Sequence, residues 1–295
     1  MSTSTETFMI AARDGAELAC TLFQPTEATR GAVLLCSATA VKRNYYAAFA
    51  QHLAEQGFIC MTLDYRGIGE SLKGPIREFQ GQVRDWGEKD LASAIDWLAE
   101  QYPDLPLLAV CHSIGGQILM LADNNHQLDG ILNVGVQSGY WGLWEGFEKW
   151  KLFTLWHVTV PSLTKLLGYF PSKRLGVGED LPTGIISEWT SWCKDPDYMF
   201  GKSAPESIRN AENIQCQIAA YSFTDDTIAP KANVEFMNQR FRAPLRYEHV
   251  APQEVGLKKI GHFGAFRSKV GPALWPRFVS DLQSFLEPQT PTNAN

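Results

Sequence analysis

Several features that would point to a nucleic-acid, zinc or membrane function are missing from this sequence of 295 residues. Its six cysteines are scattered without any Cys-x-x-Cys pair, which argues against a structural zinc site and favours reduced thiols in a cytoplasmic protein. The formal net charge is −6, with no Lys/Arg cluster to reverse it, so we expect no nucleic-acid partner. No apolar run approaches the ~18 residues of a membrane span. The first six residues carry neither a basic start nor an apolar stretch, so we also expect no secretory signal.

Nucleotide-binding and metalloprotease motifs are absent as well. Residues 63–71 look superficially like a dinucleotide fingerprint, but the place of its third glycine is taken by Leu72, and no helix is predicted to start there. There is no Walker-type loop and no His-Glu-x-x-His. We therefore predict no cofactor and no metal, and we interpret Asp64, Arg66 and Ser71 as the supports of a tight structural loop.

The sequence does contain the pattern of a soluble α/β protein, with 45% hydrophobic and 20% charged residues. Gly31–Cys36 and Phe58–Leu63 are continuous apolar runs, typical of strands buried on both faces. Such strands alternate with helices of about ten residues, which indicates a mostly parallel central sheet flanked by helices. The turn Asp14-Gly15 predicts a hairpin that adds antiparallel strands at one edge.

The alternation of strands and helices is interrupted once. Residues 140–206 contain six of the nine tryptophans together with several turn clusters, and strands and helices resume after them. We therefore predict a core formed by residues 1–139 and 207–295, interrupted by a helical Trp-rich insertion at 140–206. Residues 288–295 are expected to form a polar tail.

A candidate nucleophile lies where an apolar run gives way to glycines, in Cys111-His112-Ser113-Ile114-Gly115-Gly116. The nucleophile-elbow pattern Gly-x-Ser-x-Gly has small residues two before and two after a serine, so that a strand can turn sharply into a helix. Gly115 supplies the second small residue, whereas Cys111 replaces the first glycine. We predict that Ser113 is the nucleophile and that Cys111 packs beneath the turn. The alternative is a strand end followed by a helix whose glycines merely allow close packing.

A serine nucleophile needs a base within hydrogen-bond reach and an acid that orients the base. In elbow-type folds these follow the serine in the order acid, then histidine. Two acids compete in the turn after a strand predicted at 217–221. Asp226 is favoured because its spacing to Pro230 suits the usual Asp-x-x-x-Pro turn, and Asp225 is the alternative.

The predicted base is His262, which lies between two glycines in a predicted loop after the last strand. His249, inside a predicted strand, is the second choice. His112 adjoins the serine, but its side chain is expected to point elsewhere, so it is assigned to packing or to the pocket wall. His52 and His126 are predicted on helix surfaces.

An oxyanion hole requires two backbone N–H groups aimed at the developing charge. The residue after the nucleophile, Ile114, supplies one of them. The second is expected from the loop after the third strand, where Thr39 is the first choice and Ala38 the alternative. This loop lacks a His-Gly-Gly-Gly run, which argues against the lipase type of oxyanion hole.

Together these residues resemble the α/β-hydrolase superfamily over nearly the whole chain. Asp64-Tyr65-Arg66-Gly67-Ile68-Gly69-Glu70-Ser71 matches the turn Asp-x-Arg-Gly-x-Gly-x-Ser that is common in that superfamily, and Ser113, Asp226 and His262 match its triad by motif and order. The resemblance implies the α/β-hydrolase fold, with residues 140–206 in the place of the cap.

Residues 176–182 and 188–193 resemble the cap of a bacterial group of predicted α/β-hydrolases without an assigned substrate. Two positions depart from the superfamily pattern: Cys111 in the elbow, and Ser37-Ala38 where His-Gly is usual. Both replacements are small, so the architecture is expected to survive them.

The sequence therefore predicts a serine hydrolase that cleaves an ester or thioester of a small-molecule acyl substrate. The aromatic insertion suggests an apolar acyl or aromatic group. The alternatives are an acyltransferase with the same triad and a non-catalytic binding protein on the same fold. Self-association as a homodimer is left open.

Overall fold

The structure is a computed structural model that describes residues 3–287, so the predicted polar tail at 288–295 lies outside the described residues. The strands of residues 3–287 are β1 (Thr3–Ala11), β2 (Glu17–Pro25), β3 (Gly31–Cys36), β4 (Phe58–Leu63), β5 (Leu107–His112), β6 (Gly130–Val134), β7 (Tyr169–Phe170), β8 (Leu181–Pro182), β9 (Gln217–Phe223) and β10 (Leu245–Val250). Eight of them form one sheet in the order β1-β2-β4-β3-β5-β6-β9-β10, and β7 pairs with β8 separately.

The α-helices of the same residues lie on both faces of the large sheet. Three of them come between β6 and β9 along the chain. The helices are α1 (Ala47–Glu55), α2 (Ala92–Gln101), α3 (Ile114–Leu119), α4 (Gly146–Thr154), α5 (Val160–Leu167), α6 (Thr183–Lys194), α7 (Lys231–Asn238), α8 (Gly261–Gly264) and α9 (Gly271–Ser284).

The sheet is mostly parallel, as predicted. β1 and β2 form the antiparallel hairpin around Asp14-Gly15, and β2 also runs antiparallel to β4. All the other neighbours in the large sheet, from β4 to β10, are parallel. Because parallel strands end at the same edge, the loops after β3, β5, β6 and β9 meet at one side of the molecule.

The central strands are apolar throughout because helices cover both of their faces. Every residue of β3, β4, β5 and β6 is buried. Successive side chains alternate between the two faces, so Leu34 belongs to the cluster that contains Ile95 of α2, whereas Leu35 packs in the cluster with Phe49 of α1 and Phe278 of α9.

Three element boundaries differ from the sequence-based expectation. The sequence predicts a helix over 90–99, but a wider π-helical turn at Trp86–Leu91 comes first and α2 starts at Ala92. The sequence also predicts a helix over 114–122 after the elbow, whereas α3 ends at Leu119 and gives way to turns. His262 lies in the one-turn helix α8 rather than in a loop, and this helix begins at Gly261, whose φ of +61° suits glycine.

Residues 140–206, called the helical segment below, contain α4, α5, α6 and the β7–β8 pair. Trp192 and Cys193 of α6 are completely buried. By contrast, Phe147 of α4 is 80% exposed and Leu166 of α5 is 79% exposed. Among residues 3–287, no helix is both long enough and apolar enough to cross a membrane.

Candidate active site

Ser113 stands at the sharp turn between β5 and α3. Its φ of +55° is one of the few positive values outside glycine, and such a conformation persists only where the surroundings enforce it. The two glycines that follow are needed for space: a Cβ on Gly115 would overlap the carbonyl oxygen of Cys36, and one on Gly116 would lie 2.6 Å from a methyl of Val136. The strand–serine–helix turn therefore has the geometry of a nucleophile elbow.

Cys111 fills the space beneath this turn. Its side chain is completely buried in the core beside Cys36. Burial raises the pKa of the Cys111 thiol well above its ordinary value, so the thiol stays protonated. A buried, protonated thiol is a small packing group and not a nucleophile.

Asp226 and His262 form a buried pair. Asp226 Oδ2 lies 2.8 Å from His262 Nδ1, and the two side chains are 1% and 3% exposed. The backbone N–H groups of Ile228 and Ala229 both donate to Asp226 Oδ1 at 2.9 Å, which fixes the carboxylate. A carboxylate only accepts, so the Nδ1–H of His262 is the donor in this pair.

Asp225, the alternative acid, has a different set of partners. Its carboxylate accepts from the backbone N–H groups of Ile260 and Gly261 at 2.8 and 3.0 Å. It therefore holds the backbone just before His262 and does not contact the imidazole. His249, the second choice for the base, contacts the Ser222 hydroxyl through Nδ1 at 2.6 Å, away from both acids.

The serine and the histidine are brought to neighbouring positions at the strand ends. The Ser113 N–H donates to the carbonyl of Val134 at the end of β6. A Cβ on the next residue, Gly135, would lie 3.3 Å from His262 Cε1. The Ser113 hydroxyl donates to Gln137 Oε1 at 3.3 Å, and no hydrogen bond within residues 3–287 joins it to His262. Catalytic hydrogen bonds are often made only when a substrate is bound.

His112 is completely buried, as its assignment to packing expects, and its ring also makes two polar contacts. Its Nε2 lies 3.0 Å from the carbonyl oxygen of His262, and its Nδ1 lies 2.8 Å from the Tyr46 hydroxyl. Since a carbonyl only accepts, His112 carries its proton on Nε2, and Tyr46 must donate to Nδ1. The Ala38 N–H in turn donates to the Tyr46 oxygen at 2.8 Å. Burial, followed by the nearby His262, lowers the pKa of His112 well below its usual value, in agreement with a neutral ring.

This chain of hydrogen bonds separates the two candidates for the second oxyanion donor. The Ala38 N–H is already bonded to Tyr46, whereas the N–H of Thr39 donates to no group among residues 3–287. Ile114 is the first residue of α3, where helix geometry leaves the N–H without an intrahelical partner. Thr39 and Ile114 thus have the available donors, and Ala38 does not.

Sequence reasoning missed the two glutamines of the site. Gln137 accepts from Ser113, and its own carbonyl accepts from Gln117 Nε2 at 2.5 Å. Tyr198 of the helical segment donates to Gln117 Oε1 at 2.6 Å and accepts from Trp189 Nε1 at 2.8 Å. Two features of the sequence could have pointed to them. Gln117 is an amide in the otherwise apolar helix after Ser113, and Gln137 is a polar side chain just after a buried strand.

The loop at residues 64–71 is structural, in line with the sequence-based interpretation. Asp64 accepts from the backbone N–H of Arg43 at 2.7 Å and that of Glu70 at 3.0 Å, and its carbonyl accepts from the Ser71 hydroxyl at 2.6 Å. Arg66 does not contact Asp64. It pairs instead with Asp90 through Nε at 2.6 Å and with Asp14 at 2.7 Å. These side chains are occupied by internal bonds.

Comparisons with known proteins agree with this architecture. The family model described as serine aminopeptidase, S33, matches residues 27–162. No curated protein matches the chain.

Solved structures match the whole fold at low sequence identity. An α/β-hydrolase, GrgF, from Penicillium sp. sh18 is 16% identical, with a TM-score of 0.63 and coverage of 97% of this chain and 99% of that one. The esterase EaEST from Exiguobacterium antarcticum is 18% identical, with a TM-score of 0.59 and coverage of 95% and 99%. A bacterial brefeldin A esterase, titled a homologue of human hormone-sensitive lipase, is 16% identical, with a TM-score of 0.60 and coverage of 96% and 76%. Sheet order, elbow and these matches together show that the chain has the α/β-hydrolase fold.

Proposed function

We propose that this protein is a serine hydrolase that cleaves an ester or thioester through Ser113, His262 and Asp226. The observation that carries the proposal is the Asp226–His262 pair at 2.8 Å, which leaves His262 Nε2 free to accept a proton beside the strained turn of Ser113. Such a pair supplies the orienting acid and the base that a serine hydroxyl needs.

In the proposed mechanism, Ser113 Oγ turns from Gln137 toward His262 when a substrate enters. Oγ attacks the acyl carbon, and His262 Nε2 takes its proton. Asp226 stabilises the imidazolium and keeps the ring in the required tautomer. His262 then gives the proton to the leaving oxygen or sulfur, and an acyl-enzyme remains on Ser113. Water, activated by the same histidine, releases the acid.

The N–H groups of Ile114 and Thr39 are proposed to bind the oxyanion that forms at the acyl carbon. Removing one such donor typically costs roughly 3 kcal/mol of transition-state stabilisation. The Tyr46–His112 chain supports this assignment, because it fixes the backbone of Ala38, next to Thr39, and also the backbone of His262. It therefore links the oxyanion loop with the base.

We further propose that the helical segment, residues 140–206, is a cap that contributes the acyl pocket. It touches the site through Tyr198 on Gln117, and Trp144 Nε1 donates to the carbonyl of Thr227, in the loop of the catalytic acid, at 3.1 Å. Trp192 is buried within the segment and supports its fold, which leaves less buried aromatics such as Trp141 for contact with an apolar acyl group.

A fluorophosphonate probe tests the mechanism directly. We expect the wild-type protein to be labelled at Ser113 and Ser113→Ala to remain unlabelled and inactive. A Ser222→Ala variant is the control, because Ser222 also contacts a histidine but lies away from the elbow. Failure to label Ser113, while a known serine hydrolase is labelled alongside, would contradict the proposal.

A substrate screen then defines the reaction. p-Nitrophenyl esters from acetate to palmitate, with acyl-CoAs beside them, would show the preferred acyl length and leaving group. Added alcohols and thiols separate hydrolysis from acyl transfer, because only a transferase would form new esters or thioesters in preference to the free acid.

A further inference from the structure

A cleft of about 590 Å³ opens beside the candidate base and contains a group of basic side chains. His262 and Asp226 form part of its wall. The same wall contains four exposed basic residues, which we call the basic cluster: Lys258, Lys259, Arg267 and Lys269. No Lys/Arg cluster is apparent in the sequence, since these residues are separated by the turn of α8, and the fold brings them to one opening.

The basic cluster is not neutralised by the protein's own acids. More than half of the lysines and arginines in residues 3–287 lie within 4.0 Å of a carboxylate, but none of these four does. The acids in the wall, Asp225 and Asp226, direct their oxygens to backbone N–H groups and to His262. In a chain of net charge −6, this is a local concentration of unpaired positive charge.

Arg267 is held in position while most of its donors stay free. Its Nε donates to the Tyr45 hydroxyl at 3.2 Å, and its guanidinium lies 5.9 Å from the centre of the Tyr45 ring. Tyr45 in turn donates to the carbonyl of Phe263, next to the candidate base. Within residues 3–287, neither terminal nitrogen of Arg267 has a hydrogen-bond partner. A fixed guanidinium with two open nitrogens matches the geometry of a carboxylate or phosphate.

We propose that this cleft binds an anionic group, a phosphate or a carboxylate, on the leaving part of the substrate. The proposal rests on the proposed serine-hydrolase function for the direction of the substrate. In that function His262 protonates the leaving atom, and His262 lines this cleft whereas Ser113 does not. We therefore place the leaving part of the substrate on the His262 side, where the cleft opens. The acyl group then lies on the other side of Ser113, toward the helical segment.

A coenzyme A thioester would have such an anionic group on its leaving part, because the coenzyme carries phosphates. Its turnover is a balanced hydrolysis: the acyl carbon moves from sulfur to Ser113 Oγ, and the serine proton passes through His262 to the leaving thiolate. Water then adds to the acyl-enzyme and releases the carboxylic acid. An ester whose alcohol or phenol carries a carboxylate would also place a negative charge on the leaving part.

The experiment pairs an anionic substrate with a neutral one that carries the same acyl group. Hexanoyl-CoA is paired with S-hexanoyl-N-acetylcysteamine, which has the same thioester but lacks the nucleotide with its phosphates. 4-Carboxyphenyl hexanoate is paired with phenyl hexanoate. For each pair we measure the ratio of kcat/KM, anionic over neutral, for the wild-type protein and for Lys258→Gln/Lys259→Gln/Lys269→Gln. Removing three exposed charges should lower the ratio about tenfold for the anion that is bound, and high salt should lower the wild-type ratio as well.

The matched control is Lys165→Gln/Lys194→Gln/Lys202→Gln, which removes three lysines that also lie outside ion pairs but far from the cleft along the chain. Its ratios should equal those of the wild type. A fall in the CoA ratio alone identifies phosphate, and a fall in the carboxyphenyl ratio alone identifies carboxylate. Ratios that are the same in both triple variants would overturn the proposal.

Binding of CoA itself, measured by calorimetry, separates this inference from the proposed function. If Ser113 is not labelled by fluorophosphonate but CoA binds about tenfold more weakly to the cleft variant than to the control, the anion site stands without the hydrolase mechanism. If Ser113 is labelled and esters are cleaved while neither the ratios nor CoA binding respond, the hydrolase stands and the anion site does not.

Discussion

The strand ends of the sheet and the helical segment differ in what their side chains contact. At the ends of β3, β5, β6 and β9, buried polar groups are bonded to one another: Asp226 to His262, His112 to Tyr46 and Gln117 to the Gln137 carbonyl. In the helical segment, large apolar side chains such as Phe147 stand in water at 80% exposure.

Polar contacts join the helical segment to the core in addition to the buried apolar cluster that the two share. Tyr198 bonds to Gln117 at 2.6 Å, and the N–H of Glu179 donates to the carbonyl of Ala40 at 2.7 Å. If the segment is the cap proposed above, the sheet fixes the chemistry and the segment covers it. Changes at the strand ends should then have large effects on activity, and changes in the segment small effects on activity unless they reach these attachments.

The largest effect is expected from Asp226→Asn, which keeps the shape of the side chain but removes the charge that fixes the His262 tautomer. Loss of this role in a triad typically costs on the order of 10⁴-fold in kcat. Asp225→Asn is the matched control, because Asp225 contacts only the backbone before His262, and we expect less than a tenfold loss. Steady-state kinetics on one ester measures both, and the reverse ranking would make Asp225 the catalytic acid.

Tyr46→Phe tests the buried chain at the strand ends. It would leave the Ala38 N–H and His112 Nδ1 without their partner, and each unsatisfied buried group costs about 1–3 kcal/mol. We expect lower stability together with a fall of about tenfold in kcat and little change in KM, because the oxyanion loop and His262 would both lose a positioning contact.

The control for this change is Tyr221→Phe, another buried tyrosine, whose hydroxyl donates to Asp281 of α9 at 2.6 Å and to no residue of the elbow. It should lower the unfolding free energy and leave kcat unchanged. Equal losses of kcat in the two variants would show that Tyr46 acts on stability alone.

Gly178→Ala tests an attachment of the helical segment. Gly178 has a φ of +97°, and an added Cβ would overlap the carbonyl of Ala40, next to Thr39 of the candidate oxyanion loop. Gly176→Ala also places a side chain at a positive φ, +73°, but has nothing within 4 Å. We expect Gly176→Ala to lose about 1 kcal/mol of stability from the positive φ alone. Gly178→Ala should lose more, and it alone should lose activity, by a few-fold. Identical kinetics of the two variants would argue against a link between segment and loop.

The smallest effect is expected from Trp150→Ser in α4. Trp150 is 61% exposed, so its replacement should change the unfolding free energy by no more than about 0.5 kcal/mol. Trp192→Ala, in the same segment but completely buried, should cost about 3–5 kcal/mol. Chemical denaturation measures both, and a large loss for Trp150→Ser would mean that α4 is packed against something in solution.

Much of the fold could be predicted because short stretches of the sequence determine its strands and helices. Gly31–Cys36 and Phe58–Leu63 were placed to the residue, since a strand buried on both faces is apolar at every position. The starts of α2 and α8 could not be placed, because the π-helical turn at Trp86–Leu91 and the turn at Gly261 depend on what packs around them.

The candidate site, like the fold, has some parts that the sequence predicts and others that it does not. Order along the chain singled out Ser113, Asp226 and His262 as the candidate catalytic residues, because the elbow and the acid turn are local patterns. The role of His112 was underestimated, since its partners, Tyr46 and the His262 carbonyl, are 66 and 150 residues away in the chain. No local pattern reports such contacts.

The sequence by itself determined the α/β architecture, the strained serine turn and the order of candidate acid and base. Buried strands and a serine turn with small neighbours can be recognised because each pattern spans only a few consecutive residues. Only the tertiary structure decided which aspartate meets His262, which N–H of the candidate oxyanion loop is free, and that the basic residues of 258–269 line the same cleft as Asp226. Those outcomes depend on distances between strand ends, which the packing of the whole sheet sets.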